Sequence, residues 1–498
     1  MSSTEHPLPL PDAPHRLAML VQEIDRQSSL GVDPHDAWAT SRDGAHPVLI
    51  VGGGQAGLAL AVGLRRKGIS NVLIVEQSGE GQAGPWATYA RMKTLRTPKN
   101  VPWPTWGIPA ASPRSWFESV FGADAWRNLT YYPTSHWHAF LEWYRITLGI
   151  AVEFDTAVQS IEGGHNARPF VVRLRTADGE RTVEAEHVVL ATGLEGAGGR
   201  RVPTALFAAI PDERWSHSHD TVDFSSLAGA RIGILGGGTG AFDNAATALE
   251  AGVQSVEVHM RRPSMPTSSP YRWMDFAGLI EHYDAFNDHQ KWRFNAHLSQ
   301  VDQPATQNAI WRAYAFPTFS LHTSSPWQSV VWNGSEIEVH TPNGVSHFDF
   351  IVAATGVTVN LSHRPELSEF VHDIATWGDR LPVSQIEADQ TPELQSYPYL
   401  TADFGLTSRS IENEERLRRV HLFNHGARMS LGVLSHQVSG LQGGAERLAA
   451  GIGESLFSRR SDALIDQFLA YDEPAGVVLG PRPETADDGV MSGALTNG

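Results

Sequence analysis

Two stretches of this chain, within residues 46–77 and 231–262, carry the same glycine pattern without a gap at a constant offset of 184 positions. Gly52 then matches Gly236, Gly54 matches Gly238, Gly68 matches Gly252, and Glu76 matches Met260. Each copy opens with an apolar run too short for a helix, as a buried parallel strand does. Three consecutive glycines follow, then a stretch of helical composition that stops at a glycine, the residue best suited to a left-handed helix end. A second apolar run closes each unit. The pattern predicts strand, tight turn, helix and strand, twice over. The glycines divide the work: Gly52 and Gly236 permit the sharp turn, and Gly54 and Gly238 let a pyrophosphate approach the backbone. Gly57 and Ala241 let each helix lie close to its strand. The amides at each helix start then face the phosphates with partial positive charge. A glycine pattern alone is weak, but here each copy follows a strand and opens a helix within about 30 residues, as a dinucleotide fingerprint requires. The expected fold is α/β, with two Rossmann-like dinucleotide-binding domains.

The ends of the second strands tell the copies apart. Glu76 offers a carboxylate to a ribose hydroxyl pair, which suits the AMP half of FAD or NAD. Met260 offers none, and Arg261 and Arg262 follow it at once. Guanidinium groups pair with a 2′-phosphate where a carboxylate would repel it, so the second unit reads as a site for NADPH. Two further apolar runs, residues 187–193 and 348–356, each end in Ala-Thr-Gly. The order along the chain is glycine turn, Ala-Thr-Gly, glycine turn, Ala-Thr-Gly. The second unit is therefore expected to be inserted into the first. This gives an N-terminal extension (1–45), a first part of the first domain (46–205), and the inserted domain with its aromatic-rich helical segment (206–347). A second part of the first domain (348–473) and a disordered tail (474–498) complete the division.

The chain has 498 residues and no cysteine. Disulfides, thiolate metal sites and a redox dithiol beside a flavin are excluded. The formal net charge is −17, with no basic run of the kind that binds nucleic acid. The first residues lack a signal pattern, and the apolar window 48–64 contains three glycines, which suit a tight turn and not a lipid-facing helix. A cytoplasmic protein without membrane contact is expected. His217 and His219 could share one side of a strand, but no third ligand stands near, so no metal is expected. His136 and His138, two apart in a helical stretch, do not share a face and read as structural. The aromatics of residues 265–330 could line a pocket, although such residues are more often core.

With these motifs the chain resembles the two-dinucleotide-domain flavoproteins, and within them the class B flavin-dependent monooxygenases. That group comprises the flavin-containing monooxygenases, the Baeyer–Villiger monooxygenases and the amine N-hydroxylases. The resemblance runs over residues 46–460 or so. It implies FAD at Gly52, Gly54, Gln55, Ala56, Gly57, Glu76 and Gln77, and NADPH at Gly236, Gly238, Thr239, Gly240, Ala241, Arg261 and Arg262. Trp86, in a Gly-Pro-Trp turn, is similar to the tryptophan that leads family chains under the flavin. Val158, the first Ala191-Thr192-Gly193, Thr355 and Gly356 of the second, and Gly432 in residues 423–432 complete the implied cofactor contacts. Residues 92–99 resemble the loop that passes the isoalloxazine, which makes Arg96 the candidate catalytic charge. Residues 213–224 stand where the family carries a histidine signature, without its leading Phe-x-Gly.

The resemblance implies an NADPH-dependent flavin monooxygenase that inserts one atom of dioxygen into a small organic substrate through a flavin hydroperoxide. Nitrogen, sulfur and carbonyl oxygenation stay open, and a homodimer is one assembly it allows. The alternatives are an NADPH-dependent flavin reductase or oxidase without oxygen transfer, and a flavin-binding redox sensor.

Overall fold

The computed structural model describes residues 7–30, 37–41, 44–100, 102–381, 391–435 and 437–473. The expected disordered tail lies outside the described residues. Both glycine units fold as their patterns dictate. The first is strand His46–Val51, helix Gln55–Arg66 and strand Leu73–Val75. The second is strand Arg231–Leu235, helix Thr239–Glu250 and strand Ser255–His259.

Each unit anchors its own sheet. In the first, His46–Val51 lies parallel to Leu73–Val75 on one side and to Gly179–Leu190 on the other. Val420–His421 pairs parallel to the Ala-Thr-Gly strand, so a segment more than 200 residues downstream completes this sheet. An antiparallel extension, Ala157–Gly163 and Phe170–Thr176, continues it outward. The second sheet has five parallel strands in the order Phe319–His322, Ser255–His259, Arg231–Leu235, Phe350–Ala353, Trp215–His217. A three-stranded antiparallel meander from Ser329 to Phe348 packs Ile337, Val339 and Phe348 against Ile351.

The insertion has a defined neck. Gly198–Arg200, just after the first Ala-Thr-Gly, pairs antiparallel with Val357–Val359, just after the second. The chain leaves and returns through this two-stranded ribbon. Strand Phe350–Ala353 hydrogen-bonds to Arg231–Leu235, so it belongs to the second sheet. The boundary drawn at 347/348 therefore falls one strand too early, because an Ala-Thr-Gly strand closes its own sheet before the chain crosses.

The hydrophobic interior follows the same division. One cluster unites Val48, Ile50, Leu58, Leu60 and Val188 with Leu422, Leu448 and Ile452 of the C-terminal part. Another holds Ile232, Ile234, Phe242, Val256 and Val258. The long helix Leu441–Ala470 packs along Gln55–Arg66, which is why its inner residues Leu448, Ile452 and Leu456 are buried. Helix Ala13–Leu30 of the N-terminal extension is fixed to the first unit, where Arg16 donates to the carbonyls of Glu118 and Ser119 at 3.0 Å. Among the described residues no helix is long and apolar enough to cross a membrane.

Candidate active site

Gly52 has φ +114°, and a Cβ there would stand 2.5 Å from the Ala191 carbonyl oxygen. The turn is thus pressed onto the end of the Ala-Thr-Gly strand. A Cβ on Gly54 would meet nothing nearer than Gly84 Cα at 3.9 Å, so the space before it is open. No side chain caps helix Gln55–Arg66, which leaves its first amides for an anion. The second turn repeats this. Gly236 has φ +136° against Ala354, Gly238 has no atom within 4 Å of a Cβ position, and helix Thr239–Glu250 has no side-chain cap. These are two open, uncapped cradles of the shape a pyrophosphate needs.

The strand ends differ as their residues require. Glu76 is buried under the turn, and its two carboxylate oxygens accept 2.9 Å hydrogen bonds from the Gly53 and Ser78 amides. Both oxygens keep a lone pair that can accept a further hydrogen bond. Gln77 lines a surface depression beside it with Ser78, Asp155, Ala157 and Arg175, next to Val158 on its strand. Met260 takes the equivalent place under Gly237, 2.9 Å from a Cβ there. Arg261 is exposed and makes no hydrogen bond among the described residues, whereas Arg262 donates to the Gln300 and Val301 carbonyls and pairs with Asp302. The two arginines, equivalent in sequence, are not equivalent in place.

Trp86 carries a buried indole N–H with no hydrogen-bond partner among the described residues. Thr192 Oγ1 accepts from Asn424 Nδ2 at 3.1 Å, and the His425 amide donates to Gly193 O, so residues 423–432 rest on the first Ala-Thr-Gly turn. Gly432, at φ +66°, has the Tyr283 ring 2.9 Å from its Cβ position; close packing with Tyr283 is what requires glycine there. Thr355 bonds to Arg201 O, and Gly356 O accepts from the Arg201 amide and from His217 Nε2 at 3.1 Å. The second Ala-Thr-Gly thus secures the neck.

Arg96 is already engaged. Its guanidinium binds Thr239 Oγ1 at the second helix start and Pro304 O at 2.7 Å, which ties strand Thr94–Pro98 to the inserted unit. Arg91 does likewise, donating to the carbonyls of Ser218 (3.1 Å) and Asp220 (2.7 Å). Asp243, on the helix behind the second turn, is pushed up to about 6 by burial, against the pull of Arg312, Arg96 and Arg91.

The two histidines of residues 213–224 do not converge on a common point. His217 is bound to Gly356 O, and burial, with His219 adding, lowers its pKa to about 4. His219 Nδ1 lies 2.7 Å from Glu195 Oε1, and its ring stacks on Tyr89 at 4.6 Å. Sequence reasoning missed this Tyr89–His219–Glu195 group, although Glu195 stands two residues past Gly193. It also missed Asn424, and the cluster of Glu257, His259 and His322, where two imidazole Nε2 atoms lie 3.4 and 3.2 Å from one carboxylate oxygen. Alternation along one strand and pairing across two explain that cluster, but pairing was not readable from spacing. His136 stacks on Phe121 at 4.3 Å. Of the aromatics, Tyr283 and Trp292 are core, whereas Trp273 and Trp311 are exposed.

Comparison with known proteins agrees with this arrangement. Residues 49–275 match a protein-family model described as pyridine nucleotide-disulphide oxidoreductase, a match of dinucleotide folds in a chain with no cysteine to form the disulphide. An FAD-dependent urate hydroxylase from Xanthomonas campestris pv. campestris is 37% identical over 441 residues, covering 89% of this chain and 92% of that protein. Among solved structures, an ornithine hydroxylase from Pseudomonas aeruginosa superimposes with a TM-score of 0.63 at 16% identity, over 83% of this chain and 100% of that one. The ornithine N-hydroxylase of Kutzneria sp. 744, described with reduced FAD, NADP+ and L-ornithine, gives 0.63 at 17%, over 82% and 99%. At these identities the structures speak for the fold, and the urate hydroxylase speaks for the family. The chain belongs to the class B flavin-dependent monooxygenases, FAD-dependent enzymes that hydroxylate or oxygenate small molecules.

Proposed function

We propose that this protein hydroxylates urate, or a closely related oxidised purine, with FAD in the first glycine turn and NADPH in the second. The observation that carries the substrate is the 37% identity to a urate hydroxylase along nearly the whole of both chains. The two uncapped turns with different strand ends support the cofactors. FAD held in the first turn would supply the hydride-accepting and dioxygen-activating chemistry.

The chain's own residues do the rest. Glu76 receives the ribose hydroxyls of FAD, with Gln77 and Val158 toward the adenine. Gly52, Gly54 and Gly57, with the Gln55 and Ala56 amides, take the pyrophosphate. Trp86 offers its free N–H at the flavin end, and Ala191, Thr192 and Gly193 form the floor that Asn424 fixes. Gly236, Gly238, Thr239, Gly240 and Ala241 take the NADPH pyrophosphate. Arg261 takes the 2′-phosphate, and Arg262 holds the loop that presents Arg261. Arg96 positions the second turn against the first unit and is not a reacting group.

The test is oxygen accounting. FAD-loaded protein is mixed with NADPH, urate and labelled dioxygen. One labelled oxygen in the purine product for each NADPH consumed is expected. Oxidation of NADPH with peroxide as the only oxygen product would favour the reductase or oxidase reading.

A further inference from the structure

Among the described residues Arg428 is a cation without a carboxylate counter-ion. It stands in the segment that rests on the first Ala-Thr-Gly turn, two residues past Gly426, whose amide bonds to Asn424. Among the described residues no carboxylate pairs with it, and its Nε is buried without a hydrogen-bond partner. Its surroundings are phenols: the guanidinium lies over the Tyr397 ring at 5.2 Å, bonds to the Tyr271 hydroxyl and faces Tyr283. Burial pushes the pKa values of Tyr397 and Tyr283 up, so both stay neutral and neither supplies charge. The neighbours Ala427, Met429, Ser430, Tyr283 and Tyr397 are buried, yet Arg428 itself keeps accessible surface. It lies beside the helical segment Asp288–Val301 of the insertion, which is fastened here through Asn295 and the Tyr283 hydroxyl bonded to Met429 O.

A partly buried guanidinium with no counter-ion is poorly compensated, and an anion that enters beside it is held more strongly than at a fully exposed arginine. The planar fork of arginine and a wall of aromatic rings suit a flat anion in particular. We infer that Arg428 is the substrate's anion-recognition residue, holding a planar oxopurine anion such as urate between Tyr397 and Tyr271. This rests on the function proposed above and adds the basis of selection: charge on a flat ring. Urate is an anion at neutral pH, whereas hypoxanthine, of similar shape, is neutral.

The experiment measures binding to FAD-loaded protein by calorimetry for wild type, Arg428→Gln and Arg428→Lys, with urate, hypoxanthine and orotate as probes and flavin occupancy recorded for each. A charge-assisted hydrogen bond predicts a ten- to hundredfold weaker urate affinity in Arg428→Gln and partial recovery in Arg428→Lys. Hypoxanthine should bind wild type more weakly than urate and change less than threefold in either variant. Flavin loss in both variants would overturn the inference, by assigning Arg428 to FAD or to folding. Equal weakening of urate and hypoxanthine, or no weakening of urate, would overturn it as well. If wild type binds orotate but not urate, with the same dependence on Arg428, the urate reading fails and anion recognition stands. If wild type binds neither anion, both fail.

Discussion

Arg261 and Arg262 are adjacent in sequence and opposite in circumstance, and that contrast separates specificity from support. Arg261 is exposed and unbonded among the described residues, while Arg262 is spent on the carbonyls that end helix Asp288–Val301. Arg261→Ala should therefore cut the preference for NADPH over NADH by ten- to a hundredfold, chiefly in KM, and leave NADH kinetics nearly unchanged. Arg262→Ala should weaken both coenzymes together and lower the melting temperature. Steady-state kinetics with both coenzymes decide this, and a selective NADPH loss in Arg262→Ala would reverse the assignment. Asp243 gives the pH dependence. Its folded pKa of about 6 lies above the usual 3.8, so the native state favours the protonated acid. That contribution is fully present below pH 3.8 and is lost as the pH rises through 6, up to roughly 3 kcal/mol. Asp243→Asn keeps the shape without the charge. It should melt a few degrees higher than wild type at pH 8, with the gain gone by pH 4, as read from thermal melts at both values.

The glycine turns show how a single residue type serves two ends within one element. Gly236 is needed by the fold, because its φ is +136° and a side chain would run into Ala354. Gly238 is not needed by the fold in the same way, because nothing among the described residues stands within 4 Å of its Cβ position; on the function proposed above, the cofactor needs it. Gly238→Val should keep the melting temperature and the FAD content but weaken NADPH at least tenfold. Gly236→Val should instead destabilise the inserted unit by roughly 2–4 kcal/mol. Melting curves and flavin absorbance distinguish the two, and equal destabilisation would mean that the second turn is structural throughout. Both turns, both strand ends and the order of the two units were legible in the sequence, since each is carried by residues close together in the chain. The neck was only half legible: Ala-Thr-Gly marked both crossings, but that Gly198–Arg200 pairs with Val357–Val359 depends on strands far apart in sequence. The site around Arg428 was not legible at all. Tyr271, Tyr283, Tyr397 and Arg428 come from separate segments, and no spacing rule joins them. Nor did Arg96 betray that its guanidinium reaches across to Thr239. The same limit left nitrogen, sulfur and carbonyl oxygenation as open choices at the level of the sequence.

At the scale of the molecule, a net charge of −17 opposes every ligand proposed for it, since FAD, NADPH and urate are all anions. Repulsion between the whole protein and an approaching coenzyme acts over long distances and is removed by salt, because the Debye length falls from about 30 Å at 0.01 M to about 8 Å at 0.15 M. The attraction at Arg261 acts at contact, where modest salt screens it less. These ranges predict a kcat/KM for NADPH that is not monotonic in ionic strength. It should rise between about 10 and 150 mM salt as the long-range repulsion is screened, and fall at higher salt as the phosphate contact weakens. In Arg261→Ala the contact is gone while the net charge becomes only one unit more negative, so the rise should remain and the later fall should shrink. NADH, which lacks the 2′-phosphate, should behave on the wild-type protein as NADPH behaves on the variant. Stopped-flow reduction of the flavin at low coenzyme, repeated along a sodium chloride series, measures the quantity directly. A steady decline from the lowest salt would mean that the arginines around the second turn focus the coenzyme strongly enough to overcome the charge of the rest of the molecule.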